Sequence, residues 1–143
     1  LGEKHPSLGD ILNSLGIAYL ELKKYEDAKA AFKRALEIQK LGLGSMNPSI
    51  IVTLGNQAIL SHRVGNDSRA ESLYLGTIYI ASSKFKTSHP ILLTAIGNYR
   101  SFLQETEQPS SDEEILERFK KYKSSVETSN HQSQRMPKEQ AAQ

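Results

Sequence analysis

Apolar positions in the first forty residues recur at helical spacing, and two separate stripes are needed to hold them. Leu8, Ile11, Leu12, Leu15, Tyr19 and Leu22 share one side of a helix from about Ser7 to Lys23. After a turn at Lys24-Tyr25, Ala28, Ala31, Phe32, Ala35 and Leu36 share a face of a second helix running to about Lys40. The alanines allow the two helices a close approach. LGLGSMNP then closes the pair, with Gly42 or Gly44 as the left-handed cap.

The same pattern returns twice. His5-Pro6, Asn47-Pro48 and His89-Pro90 are 42 residues apart. That offset also carries Leu1-Gly2 onto Leu43-Gly44, Leu8 onto Ile50 and Leu92, and Leu12 onto Leu54 and Ile96. It carries Ala28 onto Ala70, Phe32 onto Tyr74 and Leu36 onto Ile78. Turn residues and apolar residues that keep one period mark an internal repeat. Each proline suits the first position of a helix, where a missing N–H costs nothing.

The second unit places Ile50, Leu54, Ala58 and Leu60 on its first helix and Ala70, Leu73, Tyr74, Ile78 and Ala81 on its second, which ends near Phe85. Between them Gly65-Asn66-Asp67-Ser68 forms a turn, with Asp67 or Ser68 as the N-cap. Gln57 and Ser61 depart from Leu15 and Tyr19, so this copy is degenerate. The third first-type helix runs from Pro90 to about Glu105 through Leu92, Leu93, Ile96, Tyr99, Phe102 and Leu103. Gln108-Pro109 ends it. Ser111 to Glu114 resembles a capping box that opens a helix with Ile115, Leu116, Phe119 and Tyr122 on one face. Acidic residues crowd its start, and Arg118, Lys120, Lys121 and Lys123 its end. From about Ser125 the chain is polar, with too little apolar surface to order itself. The pattern therefore predicts an all-α helical repeat domain over residues 1–123, with units 5–41, 47–85 and 89–123. A flexible polar tail over 124–143 is expected to follow.

Composition narrows the function. A chain of 143 residues suits one domain, and 38% hydrophobic with 24% charged residues is ordinary for a soluble protein. No apolar run approaches the ~20 residues of a membrane span, so no membrane insertion is expected. LGEKHPSLGD has no basic region leading into an apolar one, and the absence of a starting Met points to a fragment or processed product. With no cysteine there is no disulfide, thiol nucleophile or thiolate metal site, which fits a reducing, cytoplasmic setting.

A net charge of +2 gives no case for nucleic acid. Lys23, Lys24, Lys29, Lys33 and Arg34 are interspersed with Glu21, Glu26, Asp27 and Glu37, as on a solvated face. His5 and His89 stand on separate turns without a second ligand at helical spacing, so they read as turn residues and no metal is expected. No phosphate loop, serine elbow or carboxylate dyad occurs, and neither catalytic residues nor a cofactor are expected. The chain reads as no enzyme.

Leu12, Leu15-Gly16, Tyr19, Tyr25, Ala28, Phe32 and Ala35 resemble a tetratricopeptide repeat. With L-G-x-x-H-P and the 42-residue period, the chain is similar to the variety found in kinesin light chains. Leu1 to Leu36 follows that motif well, Leu43 to Ile80 partly, and Phe85 to Leu103 in its first half. The resemblance implies an α-solenoid of antiparallel helix pairs, a right-handed superhelix ending in a C-terminal capping helix. Its first helices would line a concave groove that binds a partner protein or peptide. Carried over position by position, the groove residues are Asn13, Ile17 and Leu20, then Asn56, Ile59 and His62, then Asn98 and Ser101. An asparagine amide both donates to and accepts from a peptide backbone. Gly55 and Gly97 stand where the first unit has Asn13, and only Arg63 and Arg100 are on hand to meet a carboxylate. The resemblance thus implies a non-catalytic interaction scaffold, with helix capture and extended-peptide capture both open. Its alternative is a homo-oligomer formed through the repeat ends.

Overall fold

The computed structural model describes residues 6–43 and 47–135, and among them every regular element is helical. The helices are α1 (Pro6–Glu21), α2 (Tyr25–Leu43), α3 (Pro48–Arg63), α4 (Asp67–Lys84), α5 (Pro90–Glu105) and α6 (Asp112–Arg135). α1 stacks on α2 and α3 on α4, while α2 touches α3 and α4 touches α5. The first helices α1, α3 and α5 form one layer, with α2, α4 and α6 behind them. This is an α-solenoid.

The period of the sequence is also a period of the backbone. Lys23, Gly65 and Glu107, each 42 residues apart, all have positive φ, at 58°, 84° and 54°. In each turn the next amide reaches five residues back, from Lys24 to Tyr19, Asn66 to Ser61 and Gln108 to Leu103, at 2.9, 2.8 and 2.7 Å. The positive-φ amide itself reaches back three, and together the two bonds satisfy carbonyls that a helix end leaves free. Only Gly65 takes this conformation without steric cost. Helix entry repeats as well: the Asn47 side chain accepts from the Ser49 amide at 2.9 Å, and His89 Nδ1 from the Ile91 amide at 3.2 Å.

Gly16 decides how closely α1 and α2 approach. A methyl group on it would lie 2.5 Å from the Phe32 ring. Phe32 is fully buried, with Leu20, Ala28 and Leu60 about it. Ala58, the equivalent of Gly16, is likewise buried in the second unit. The third unit has Arg100 there, and a guanidinium cannot enter such a contact. α6 accordingly leaves α5 after a longer connection, 106–111, and lies chiefly along α4. Arg100 pairs instead with Asp112 at the start of α6.

α6 is tied down by a polar junction and by aromatics. Glu71 of α4 accepts from the Tyr99 hydroxyl of α5 at 2.7 Å and from Arg118 of α6 at 2.6 Å. Ile115 is buried, Phe119 and Tyr122 pack against the core, and the Tyr122 ring meets Tyr79 edge-on at 6.3 Å.

Several local expectations need correction. The N-cap of α4 is Asn66, whose side chain accepts from the Arg69 amide at 3.2 Å, and neither Asp67 nor Ser68. Gly42 lies within α2, and Gly44 is outside the described residues. Of the capping box, the Glu114 amide donates to the Ser111 hydroxyl at 3.3 Å. Leu116 does not join Ile115 and Phe119 inside but is half exposed. α6 also continues to Arg135 rather than ending near Lys123, so its lysines are central and not in the last turn. From Ser124 to Arg135 neither proline nor glycine interrupts it, and each added residue gains a backbone bond once a helix is nucleated.

Two expected outcomes test this packing. Gly16→Ala should lower unfolding stability by about 1–3 kcal/mol, the usual cost of overpacking, in a urea titration. The second concerns alkali. Burial first, and then the Glu105 carboxylate, push the Tyr74 phenol from 10.0 up to about 12. Burial and the bond to Glu71 push Tyr99 up as well. Because the folded state keeps these protons while the unfolded chain loses them, stability is fully present below pH 10.0 and falls from there to about 12. Tyr74→Phe should flatten that fall in melting temperatures measured across the range.

Candidate partner-binding groove

Helical geometry sends the faces of a first helix to different destinations. In α3, Ala58 meets the second helix of its own unit, while Thr53 and Leu60 are buried toward the preceding unit. Val52, Asn56 and Ile59 are left toward the open side of the layer. Thr94, Asn98 and Ser101 hold the same places on α5, and Asp10, Ser14 and Ile17 on α1.

Between α3 and α5 this open side sinks into a cavity of about 240 Å³. Ile51, Tyr74, Thr77 and Ala95 form its buried floor. Val52, Asn56, Ile91, Thr94 and Asn98 stand around it. Gly55 belongs to the wall too, and a methyl group on it would meet nothing within 4 Å. This glycine therefore serves no close helix contact, unlike Gly16, and its missing side chain is part of the open volume. Gly97 is open in the same way.

The expected groove residues divide. Asn56 and Asn98 line the cavity together, and Asn56 Nδ2 donates to Asn13 Oδ1 at 3.1 Å, which links α1 to α3. Asn13 itself is 9% exposed. Ile17 and Ser101 are exposed and Ile59 is half-buried. Leu20 is at a packing position, 4% exposed among Ala28, Phe32 and Leu60, so it faces the interior where α1, α2 and α3 meet. His62 lies at the end of the layer. Its Nδ1 is 2.7 Å from Asp67, its Nε2 3.2 Å from Glu105, and its ring meets Phe102 edge-on at 5.3 Å. It joins three helix ends and stands apart from the cavity.

Of the floor residues, the repeat marks Tyr74 as core, and Ile51 and Thr77 fall outside the candidate groove positions. The signal that could have found them is Gly55. A side chain is missing from the open face there, and the floor beneath is left uncovered.

A second cleft, of about 350 Å³, opens between α2, α3 and α4 and includes Gln57, Leu60, Ser61 and Asn66. Gln57 and Ser61 stand where α5 has the buried Tyr99 and Leu103. Smaller or polar residues at this junction leave it incompletely filled. Glu26, Lys29 and Arg69 at its margin carry charges of both signs.

A family profile described as tetratricopeptide repeat matches residues 9–40. The chain carries a tetratricopeptide-repeat fold. The structure of BtubC (BKLC) from P. vanneervenii superposes with a TM-score of 0.68 at 17% identity, covering 87% of this chain and 50% of that one. A putative kinesin light chain from Podosopora anserina, with nearly identical repeats of this kind, gives 0.65 at 21% identity over 88% of this chain and 60% of that one. A point variant of it gives 0.67 at 21%, over 90% and 60%. The chain thus spans half to 60% of the length of these solved proteins. No curated protein sequence matches it. Tetratricopeptide repeats mediate protein–protein interaction and are typically non-catalytic scaffolds. Among the described residues, no helix is long and apolar enough to cross a membrane.

Proposed function

We propose that this chain is a protein-interaction module that seats a partner peptide or helix on the open face of α1, α3 and α5. The observation that carries the reading is the cavity between α3 and α5. An apolar floor with two asparagines at its rim is the combination that peptide recognition needs. A side chain of the partner enters the cavity, and Asn56 and Asn98 meet its backbone with donors and acceptors together. Ile17 and Ser101 extend the contact surface along the same face. Leu20 and Asn13 act from behind, the first by packing and the second by holding Asn56.

The test uses the open space beside Gly55. Gly55→Leu starts its side chain in open space at the cavity wall and replaces a helix-interior glycine, which should raise stability by about 0.5–1 kcal/mol. In affinity capture from the source cell, the protein retained by the natural chain should be lost with Gly55→Leu and with the pair Asn56→Ala and Asn98→Ala. Retention by both, with circular dichroism unchanged, removes the cavity from the working surface.

A further inference from the structure

We propose that Asp10 is the cation-recognising residue of the groove, so that the partner segment carries a lysine or arginine a few residues from the apolar side chain that enters the cavity; this rests on the groove reading above. Asp10 shares a row with Val52 and Thr94, each 42 residues from the next, and both of those border the cavity. No charged side chain lines the cavity itself. Asp10 is thus the one charge in this row, and it is exposed on α1. The other end of the same face holds Glu21, Arg63 and Glu105, where both signs of charge meet and Glu105 already faces His62 Nε2 at 3.2 Å.

The interior is built to hold that carboxylate. Gln39 on α2 is 1% exposed, and its Nε2 donates to Asp10 Oδ1 at 3.2 Å. The amide would lose both its bonds if it turned round, because the Thr53 hydroxyl of α3 donates to its Oε1 at 2.8 Å from the other side. A methyl group on Gly9 would lie 2.7 Å from Gln39 Cγ, so this glycine makes room for the side chain to reach α1. Packing alone does not call for such a bond. The next junction has buried Ala81 and Ala95 where the first has Gln39 and Thr53, and a buried amide is costly where an apolar residue would serve. Among the described residues nothing else pairs with the Asp10 side chain, so its Oδ2 is left for a ligand. An oriented carboxylate with a free oxygen takes a Lys or Arg N–H. Helix spacings of about 8–10 Å put the cavity roughly 10–15 Å from Asp10. An extended segment covers that distance in about three to five residues.

A phage library of random dodecapeptides, selected on the full chain, provides the probes. Enriched peptides should pair an aliphatic or aromatic residue with Lys or Arg about three to five positions away, and Gly55→Leu should abolish their binding. In fluorescence anisotropy, changing that Lys or Arg to Gln should weaken binding to the natural chain about fivefold, the upper range for an exposed ion pair, and leave binding to Asp10→Asn unaltered. Gln39→Leu leaves the Thr53 hydroxyl a second acceptor, the Ser49 carbonyl at 3.1 Å, so the helical spectrum should hold while the preference for a cation shrinks. A merely structural Gln39 would weaken the basic peptide and its Gln version alike, and that result overturns its positioning role. Peptides that depend on Gly55 yet show no basic preference, or a preference that survives Asp10→Asn, overturn the proposal and leave the groove standing. Enrichment indifferent to Gly55→Leu, or no enrichment, removes the groove reading and this proposal with it.

Discussion

Where Gly16 meets Phe32, the helices of the first unit come close enough that a single methyl group would lie 2.5 Å from the ring. Much of the structure follows from whether that contact can be made. Where the small residue is Gly16 or Ala58, the second helix lies flat on the first, and a three-residue turn suffices to join them. Where it is Arg100 the contact is impossible, the connection lengthens, and α6 lies along α4. The Glu71 junction with Tyr99 and Arg118 then holds the last helix in place of the apolar contact it has lost.

The same economy of small residues shapes the surface. Gly55 faces open space, so its lack of a side chain exposes the floor of Ile51, Tyr74 and Ala95 instead of tightening a contact. Asn13 steadies Asn56 across the gap between α1 and α3. The cavity is thus bordered by amides that can pair with a backbone, and by apolar groups that can accept a side chain. At the other junction, Gln57 and Ser61 fill less space than Tyr99 and Leu103, and a wider cleft with charges at its edge results.

Much of this was legible in the residues. The 42-residue period located the helices to within a few positions, because apolar periodicity, Pro at the first turn and the turn residues all coincide in register. It extends to Lys23 and Glu107, whose positive φ no propensity rule would assign; there Gly65 alone gave the clue. The far end of α6 was less legible, since a polar stretch without packing reads as disorder while backbone hydrogen bonds alone let a helix run on to Arg135. Site residues were harder. Asn56 and Asn98 were recognisable as a pair one period apart, but the repeat does not say that Leu20 turns inward while the neighbouring Ile17 stays exposed. That depends on where each side chain falls relative to the second helix, and a shift of one residue is 100° of rotation.

The central claim is that the open face beside Asn98 is where a partner sits. The chain has no cysteine of its own, so a photoactivatable cross-linker can be placed on a single introduced thiol at Asn98 or, as a reference, at exposed Ser72 on α4. Illumination in extract of the source cell should yield one covalent adduct from Asn98→Cys, absent from Ser72→Cys and abolished when Gly55→Leu is added. Equal adducts from both positions, or an adduct from Asn98→Cys indifferent to Gly55→Leu, would contradict the account.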